Sequence, residues 1–387
     1  MTDTITIAEE TRYDRQNRIT WWDQQRLAAA RVLVVGAGAL GNEVVKNLAL
    51  MGVGSIFVVD FDTIEASNLA RCVFFRAGDD GRRKVDALCE RAADINADAR
   101  ITPLHADVRQ FGTGIAYRAD VIVGALDNRE ARLYLNRLAW RAGKPWVDGA
   151  IEGLLGAAKV FSPPDGCYEC TLSEADFAAV AHRQSCRLLS RDEMALGRTP
   201  TTATAASIIG GLQAQEVVKL LHADQPGVTV LQGGIIFDGG NNDAYALRYP
   251  HNEDCLAHHT YADPMRIDGT GGDITFTAIA EAAGFGDSAV VELGDDHVTE
   301  WFCPNCDVRT WAGRPAPLVV LGDADCPTCH ESRQFETASS IAIGTADADR
   351  AAAEYGVRPD EVLAVRHGSE YRYVWLTSDE QTPDDWT

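Results

Sequence analysis

Arg31-Val32-Leu33-Val34-Val35-Gly36-Ala37-Gly38-Ala39-Leu40-Gly41-Asn42 is the stretch that decides the fold. Residues 32 to 35 form an unbroken apolar run, the mark of a strand buried on both faces, and they lead straight into G-x-G-x-x-G. Gly36 permits a tight turn, Gly38 leaves room for a phosphate, and Gly41 lets the next helix pack close to the strand. Helical spacing over 43 to 51 then points the free N–H groups of a helix start at whatever anion sits above the glycines. A second apolar run, 55 to 59, ends on Asp60, where a carboxylate meets a ribose hydroxyl. The stretch predicts a βαβ nucleotide unit. Taken alone it fits an NAD-dependent oxidoreductase as well as any other nucleotide enzyme.

Outward from this core, residues 12 to 18 carry Arg12, Arg15 and Arg18, and a helix is predicted through Trp22 and Leu27. By charge alone the arginines read as a solvated turn before they read as an arm to a nucleotide. On the other side Asp62, Asn68 and Arg71 fall at the carboxyl ends of the strands, where ligands of open α/β sheets bind. Arg71 and Lys84 bring cations that a dehydrogenase does not need. A nucleotidyl transferase needs them, to neutralise a triphosphate and its departing pyrophosphate.

Lys84 opens a predicted helix ending at 95, and strands are predicted at 101 to 105 and 121 to 125. The second of these ends in Leu126-Asp127-Asn128. An acidic residue just beyond a buried strand is placed to hold Mg²⁺, or else to cap the helix predicted over 129 to 142. Further strands are expected at 145 to 150, 157 to 161, 228 to 232 and 244 to 249, with a helix of small and apolar residues over 203 to 221. No G-x-x-x-x-G-K-S/T loop is present, which excludes a P-loop kinase.

The 387 residues carry a net charge of -22, which argues against non-specific nucleic-acid binding and fits a partner with a basic face. No apolar run reaches membrane-spanning length and the first residues lack a signal core, so a cytoplasmic location is expected. Lysine occurs only at 46, 84, 144, 159 and 219, and each position is therefore informative.

Ten cysteines without a secretion signal suggest metal or catalytic roles before disulfides. Cys303-Pro304-Asn305-Cys306 and Cys326-Pro327-Thr328-Cys329, nineteen residues apart, have the spacing of a zinc ribbon. Cys167-Tyr168-Glu169-Cys170 is by itself open to redox, metal-binding or incidental readings. Cys89 lies on the apolar side of its helix and reads as core.

Taken together, Arg12-x-x-Arg15-Gln16, the Gly-Ala-Gly-Ala-Leu-Gly turn, Asp60-Phe61-Asp62 with Ser67-Asn68-Leu69-x-Arg71, Lys84, and Leu126-Asp127-Asn128 resemble the ThiF/MoeB/HesA family, relatives of the ubiquitin-activating enzymes. The resemblance covers roughly residues 9 to 258. It implies a doubly wound, Rossmann-like, mostly parallel α/β sheet that binds ATP and Mg²⁺ and adenylates the C-terminal glycine of a ubiquitin-like or sulfur-carrier protein. By resemblance Asp60 holds the ribose, Asn68, Arg71 and Lys84 the phosphates, and Asp127 the magnesium. Gly36, Gly38, Gly41, Asp62 and Asn128 complete the nucleotide site, and Arg15 reaches into the partner subunit of a homodimer. One departure is Cys72, where relatives usually carry glutamine.

The same resemblance favours a structural zinc at Cys167 and Cys170, completed by Cys255 and His258, with His259 as competing ligand. It also points to Cys186, flanked by Arg183 and Arg187, as the nucleophile of a thioester, and to a conjugating enzyme as a further partner. The alternative within the class stops at the adenylate and feeds sulfur transfer, as in thiamine or molybdopterin synthesis. The expected organisation is an adenylation domain over 1 to 258, with an inserted catalytic-cysteine loop at about 171 to 200. An α+β region over 259 to 387 follows, containing the ribbon at 303 to 329, a helix at 346 to 356, a strand pair at 361 to 365 and 371 to 375, and an acidic disordered tail from Ser378.

Overall fold

The computed structural model describes residues 11–177, 200–268, 272–319 and 321–377. Cys186, most of the predicted loop around it and the tail lie outside the described residues. In chain order the first half comprises α1 (Gln24–Ala29), β1 (Arg31–Val35), α2 (Ala39–Met51), β2 (Ser55–Val59), α3 (Lys84–Ile95), β3 (Arg100–Leu104), α4 (Gly114–Tyr117), β4 (Val121–Gly124), α5 (Arg129–Arg141), β5 (Trp146–Glu152), β6 (Leu155–Phe161), α6 (Ala203–Leu221), β7 (Gly233–Asp238) and β8 (Asp243–Leu247).

These strands make one eight-stranded sheet in the order β3-β2-β1-β4-β5-β6-β7-β8. The neighbours β3, β2, β1, β4 and β5 run parallel, consecutive strands being joined by crossovers, and β1, β2 and β4 are apolar on both faces; β6 to β8 run antiparallel. Along β1 and β2 the side chains alternate between two cores. Val32, Val34, Ile56 and Val58 meet α2, α3 and α6, while Leu33, Val35, Phe57 and Val59 meet α5 on the opposite face. Since β1 pairs with β2 on one side and β4 on the other, the glycine turn opens at the point where the crossovers diverge.

The second half comprises β9 (Met265–Asp268), α7 (Phe276–Ala282), β10 (Val290–Cys303), β11 (Val308–Pro315), β12 (Gln334–Ala342), β13 (Val362–His367) and β14 (Glu370–Thr377). They form a six-stranded sheet, β11-β10-β13-β14-β9 with β12 also on β10, around a core that includes Phe276, Val291, Val365 and Val374. The halves are tied by buried charge. The Glu361 carboxylate accepts from the Thr113 N–H at 2.8 Å and its hydroxyl at 2.9 Å. Arg358 donates to Asp295 at 2.6 Å and to the Arg109 carbonyl at 2.7 Å.

Two predicted elements fail. Residues 228 to 232 are not a strand: the Leu231 N–H donates to Glu216 of α6, and β7 begins only beyond it, at Gly233 with φ +110°. Residues 346 to 356 are not a helix but two 3-10 turns, because Ala351 is extended, bridges Thr275, and lets the Ala352 N–H reach the Ile274 carbonyl. Tertiary contact overrides helix propensity there. Among the described residues no helix is long and apolar enough to cross a membrane.

Candidate active site

The glycine turn is built by close contact on two sides and by open space on the third. A Cβ on Gly36, whose φ is +107°, would lie 2.3 Å from the Ala125 carbonyl oxygen, and one on Gly41 would lie 1.9 Å from the Gly36 oxygen. Nothing lies within 4 Å of a Cβ on Gly38. Protein packing therefore demands the first and third glycines; the second keeps a space into which a ligand fits.

Asp60 stands over this turn, fixed by hydrogen bonds from the Ala37 and Asp62 N–H groups at 2.7 Å each. Burial pushes its carboxyl up, against the pull of Lys84. The chain from 60 to 84 then folds back on itself, so that Lys84 meets Asp62 twice: its N–H donates to the Asp62 carbonyl at 3.0 Å and its Nζ to the carboxylate at 2.7 Å. Burial pulls the Lys84 ammonium down, but Asp60 and Asp62 more than offset this and keep it charged. The returning loop is anchored at buried Asp79, which accepts from Arg91 at 2.6 and 2.8 Å and from Arg82 at 2.9 Å.

Asn68 is buried at the end of a 3-10 turn, its Oδ1 accepting from the Glu65 N–H at 3.0 Å. Three residues on, Arg71 is partly exposed and forms an ion pair with none of the described residues. Burial pushes the Cys72 thiol up to about 11, so it stands beside the site as a neutral group. Across the turn, Ala125 leads to exposed Asp127 and Asn128. Asn128 is the cap of α5, accepting from the Ala131 N–H at 2.8 Å, which frees Asp127 from that duty. Arg15 is exposed on the surface.

Three polar residues complete the frame, Asn42 and Gln213 buried and Arg132 largely so, and none of them belongs to a motif read from the sequence. Asn42 donates to the Ala37 and Gly38 carbonyls and accepts from the Phe74 N–H, joining the glycine turn to the Arg71 segment. Arg132 bridges Asp148 at 2.9 Å and the carbonyls of Leu126 and Gly149, fixing the backbone just before Asp127. Gln213 of α6 donates to the Gly124 carbonyl at 2.9 Å. Asn42, directly after Gly41, is the one a polar residue in a buried helix start would have flagged.

Away from the turn, Cys167, Cys170, Cys255 and His258 bring their ligand atoms within 4.8 Å of one another. Cys167 Sγ lies 3.8 Å from Cys170 Sγ and 3.7 Å from Cys255 Sγ, and Cys170 Sγ lies 3.3 Å from His258 Nε2. A tetrahedral site with zinc–sulfur bonds of about 2.3 Å has sulfur–sulfur edges of about 3.8 Å, so the donor set fits zinc. Trp140 stacks on the His258 ring at 4.5 Å, whereas His259 turns away to the Tyr373 hydroxyl. Cys303, Cys306, Cys326 and Cys329 form a second such group.

The comparisons agree with this geometry. Residues 13–257 match the ThiF family. The SAMP-activating enzyme E1 of Haloferax volcanii is 32% identical over 64% of this chain and 89% of its own length. The molybdopterin-synthase adenylyltransferase of Salmonella typhimurium is 33% identical over 56% of this chain and 85% of its own. The crystal structure of E. coli MccB with ATP shares the fold at a TM-score of 0.53 and 20% identity, covering 65% of this chain and 75% of that one. The glycine turn thus belongs with adenylyltransferases and not with dehydrogenases: the chain is a member of the ThiF family.

Proposed function

We propose that this chain activates a ubiquitin-like or sulfur-carrier protein by joining its C-terminal glycine carboxylate to AMP. The observation that carries the reading is the pairing of open space at Gly38 with charges that have no ion pair among the described residues, Arg71 on the segment that Asn42 ties to the turn and Asp127 two residues beyond Ala125, which packs on Gly36. The functions named for the Haloferax and Salmonella relatives support it.

The nucleophile is already a carboxylate, so no general base is needed. One of its oxygens bonds to the α-phosphorus of ATP as the bond to the β-phosphate oxygen breaks and pyrophosphate leaves with the electron pair. Asp60 takes the ribose, Asn68, Arg71 and Lys84 orient and neutralise the phosphates, and the α2 start receives the anion. Asp127, exposed and uncapped, is the residue to hold Mg²⁺, an ion that when bound neutralises charge on the phosphates. Arg15 acts in the site of a second subunit. A cytoplasmic setting supplies the ATP and suits the free cysteines.

In the second step Cys186 attacks the acyl carbon, AMP leaves, and a thioester passes to a conjugating enzyme. The adenylate-only route to sulfur transfer stays as second reading, favoured by the Salmonella relative. To test both, the dimer is given magnesium, ATP and a small protein ending in Gly-Gly. Pyrophosphate exchange with a thiol-sensitive adduct on non-reducing gels supports the full scheme. Exchange with an adduct unchanged in Cys186→Ala removes Cys186, and no exchange at all sinks the adenylation reading.

A further inference from the structure

Outside the family-matched residues, Cys303, Cys306, Cys326 and Cys329 place their sulfurs within 4.8 Å of one another, and we infer that they hold a Zn²⁺ of their own that folds the C-terminal domain. The Cys303 and Cys329 sulfurs are 3.6 Å apart. That is far beyond the roughly 2.05 Å of a disulfide and close to the edge of about 3.8 Å in a tetrahedral zinc–thiolate site.

The backbone carries an independent mark. Each pair sits on the same turn, Cys-Pro-x-Cys, and the residue after each second cysteine is left-handed: Asp307 at φ +52° and His330 at φ +62°. Neither is glycine, so each conformation costs energy, and two turns twenty-odd residues apart adopt the same one. A shared central ligand drawing both turns inward explains the repetition. The Thr328 N–H pointing at the Cys326 sulfur at 3.5 Å fits a thiolate that accepts hydrogen bonds while it ligates.

Packing says why a metal is needed. Among the described residues between 294 and 340 only Ala338 packs against the buried apolar cluster of this domain, few apolar side chains besides Val298 and Trp301 are buried, and β12 is exposed along most of its length. A segment with so small a core of its own requires a staple, and closed four-cysteine zinc sites supply one. The ribbon also reaches the first domain, since Arg109 donates to the Pro317 carbonyl at 3.0 Å. This contact involves no residue of the glycine turn or of the polar frame around it, so the ion serves architecture, not adenylation.

The test begins with the full-length wild-type protein, its metal content and the alkylation of each cysteine read by peptide mapping. Two zinc ions per chain are expected, with Cys303, Cys306, Cys326 and Cys329 protected from iodoacetamide at least tenfold until a chelator strips the metal. A Cys306→Ser/Cys329→Ser variant should retain one zinc and pyrophosphate exchange within about threefold of wild type. One zinc per chain, iron in place of zinc, or immediate alkylation of the ribbon cysteines in untreated wild type would overturn the proposal. The metal content and the alkylation pattern need neither ATP nor a carrier protein, so this proposal and the adenylation reading fail separately.

Discussion

Around the glycine turn Arg71 and Asp127 carry charges with no ion pair among the described residues, whereas in the C-terminal domain every described arginine is engaged. There Arg309, Arg314, Arg350, Arg358, Arg366 and Arg372 pair with carboxylates, Arg333 bonds Thr310 and the Asp323 carbonyl, and Arg266 lies over the Trp375 ring at 4.4 Å. The same residue type thus has two uses in one chain. Where a charge is paired, it fixes architecture; where it stands unpaired near the glycine turn, we propose that it meets a ligand of opposite sign.

The sharpest way to break that contrast is to remove a paired charge. Arg358 is almost fully buried between Asp295 and Glu361 and lies over the Tyr134 ring. Arg358→Ala strands two buried carboxylates and is expected to cost about 3–5 kcal/mol in urea unfolding. A loss below about 1 kcal/mol would mean that the network is ornamental. Removing an unpaired charge should do the reverse. Asp127→Ala is expected to lower pyrophosphate exchange about 10²–10³-fold while leaving the thermal midpoint unchanged. If stability fell instead, the carboxylate would be part of the frame.

The pairing also has a pH signature. Burial alone would push the Asp295 carboxyl up, but Arg358 and Arg141 more than offset it and hold it below the ordinary carboxylate range. Its contribution to stability is therefore present above the unfolded pKa of about 3.9 and is lost as pH falls through that value toward the lower folded one. Urea midpoints measured between about pH 6 and pH 3 should drop in wild type and drop less in Asp295→Asn. Equal slopes would show that this pair does not couple the domains to pH.

The contrast explains what was legible in the sequence. The β1 run, the glycines and the ribbon cysteines were readable because their chemistry is set by local spacing. Cys255 and His258 stand 88 positions from their partners and were legible only by resemblance. Asn42, Arg132 and Gln213 escaped because they bind backbone carbonyls that the topology assembles, and a carbonyl has no letter in a sequence. The failed helix at 346 to 356 has the same cause: an extended Ala351 is dictated by Thr275, a residue from a different part of the chain.

Asp127 and Asn128 offer the smallest effect and the finest division. They are consecutive, exposed and polar, and the family resemblance assigns both to the nucleotide site. The structure separates them, since only Asn128 closes the α5 start by accepting the Ala131 N–H. Asn128→Ala should cost about 1 kcal/mol, and Asn128→Ser, which keeps an acceptor oxygen, should recover most of it. Pyrophosphate exchange should track folded protein in both variants. If Asn128→Ser kept its stability yet lost exchange tenfold or more, the side chain would touch the nucleotide, and unpaired charge would no longer mark the boundary between frame and site.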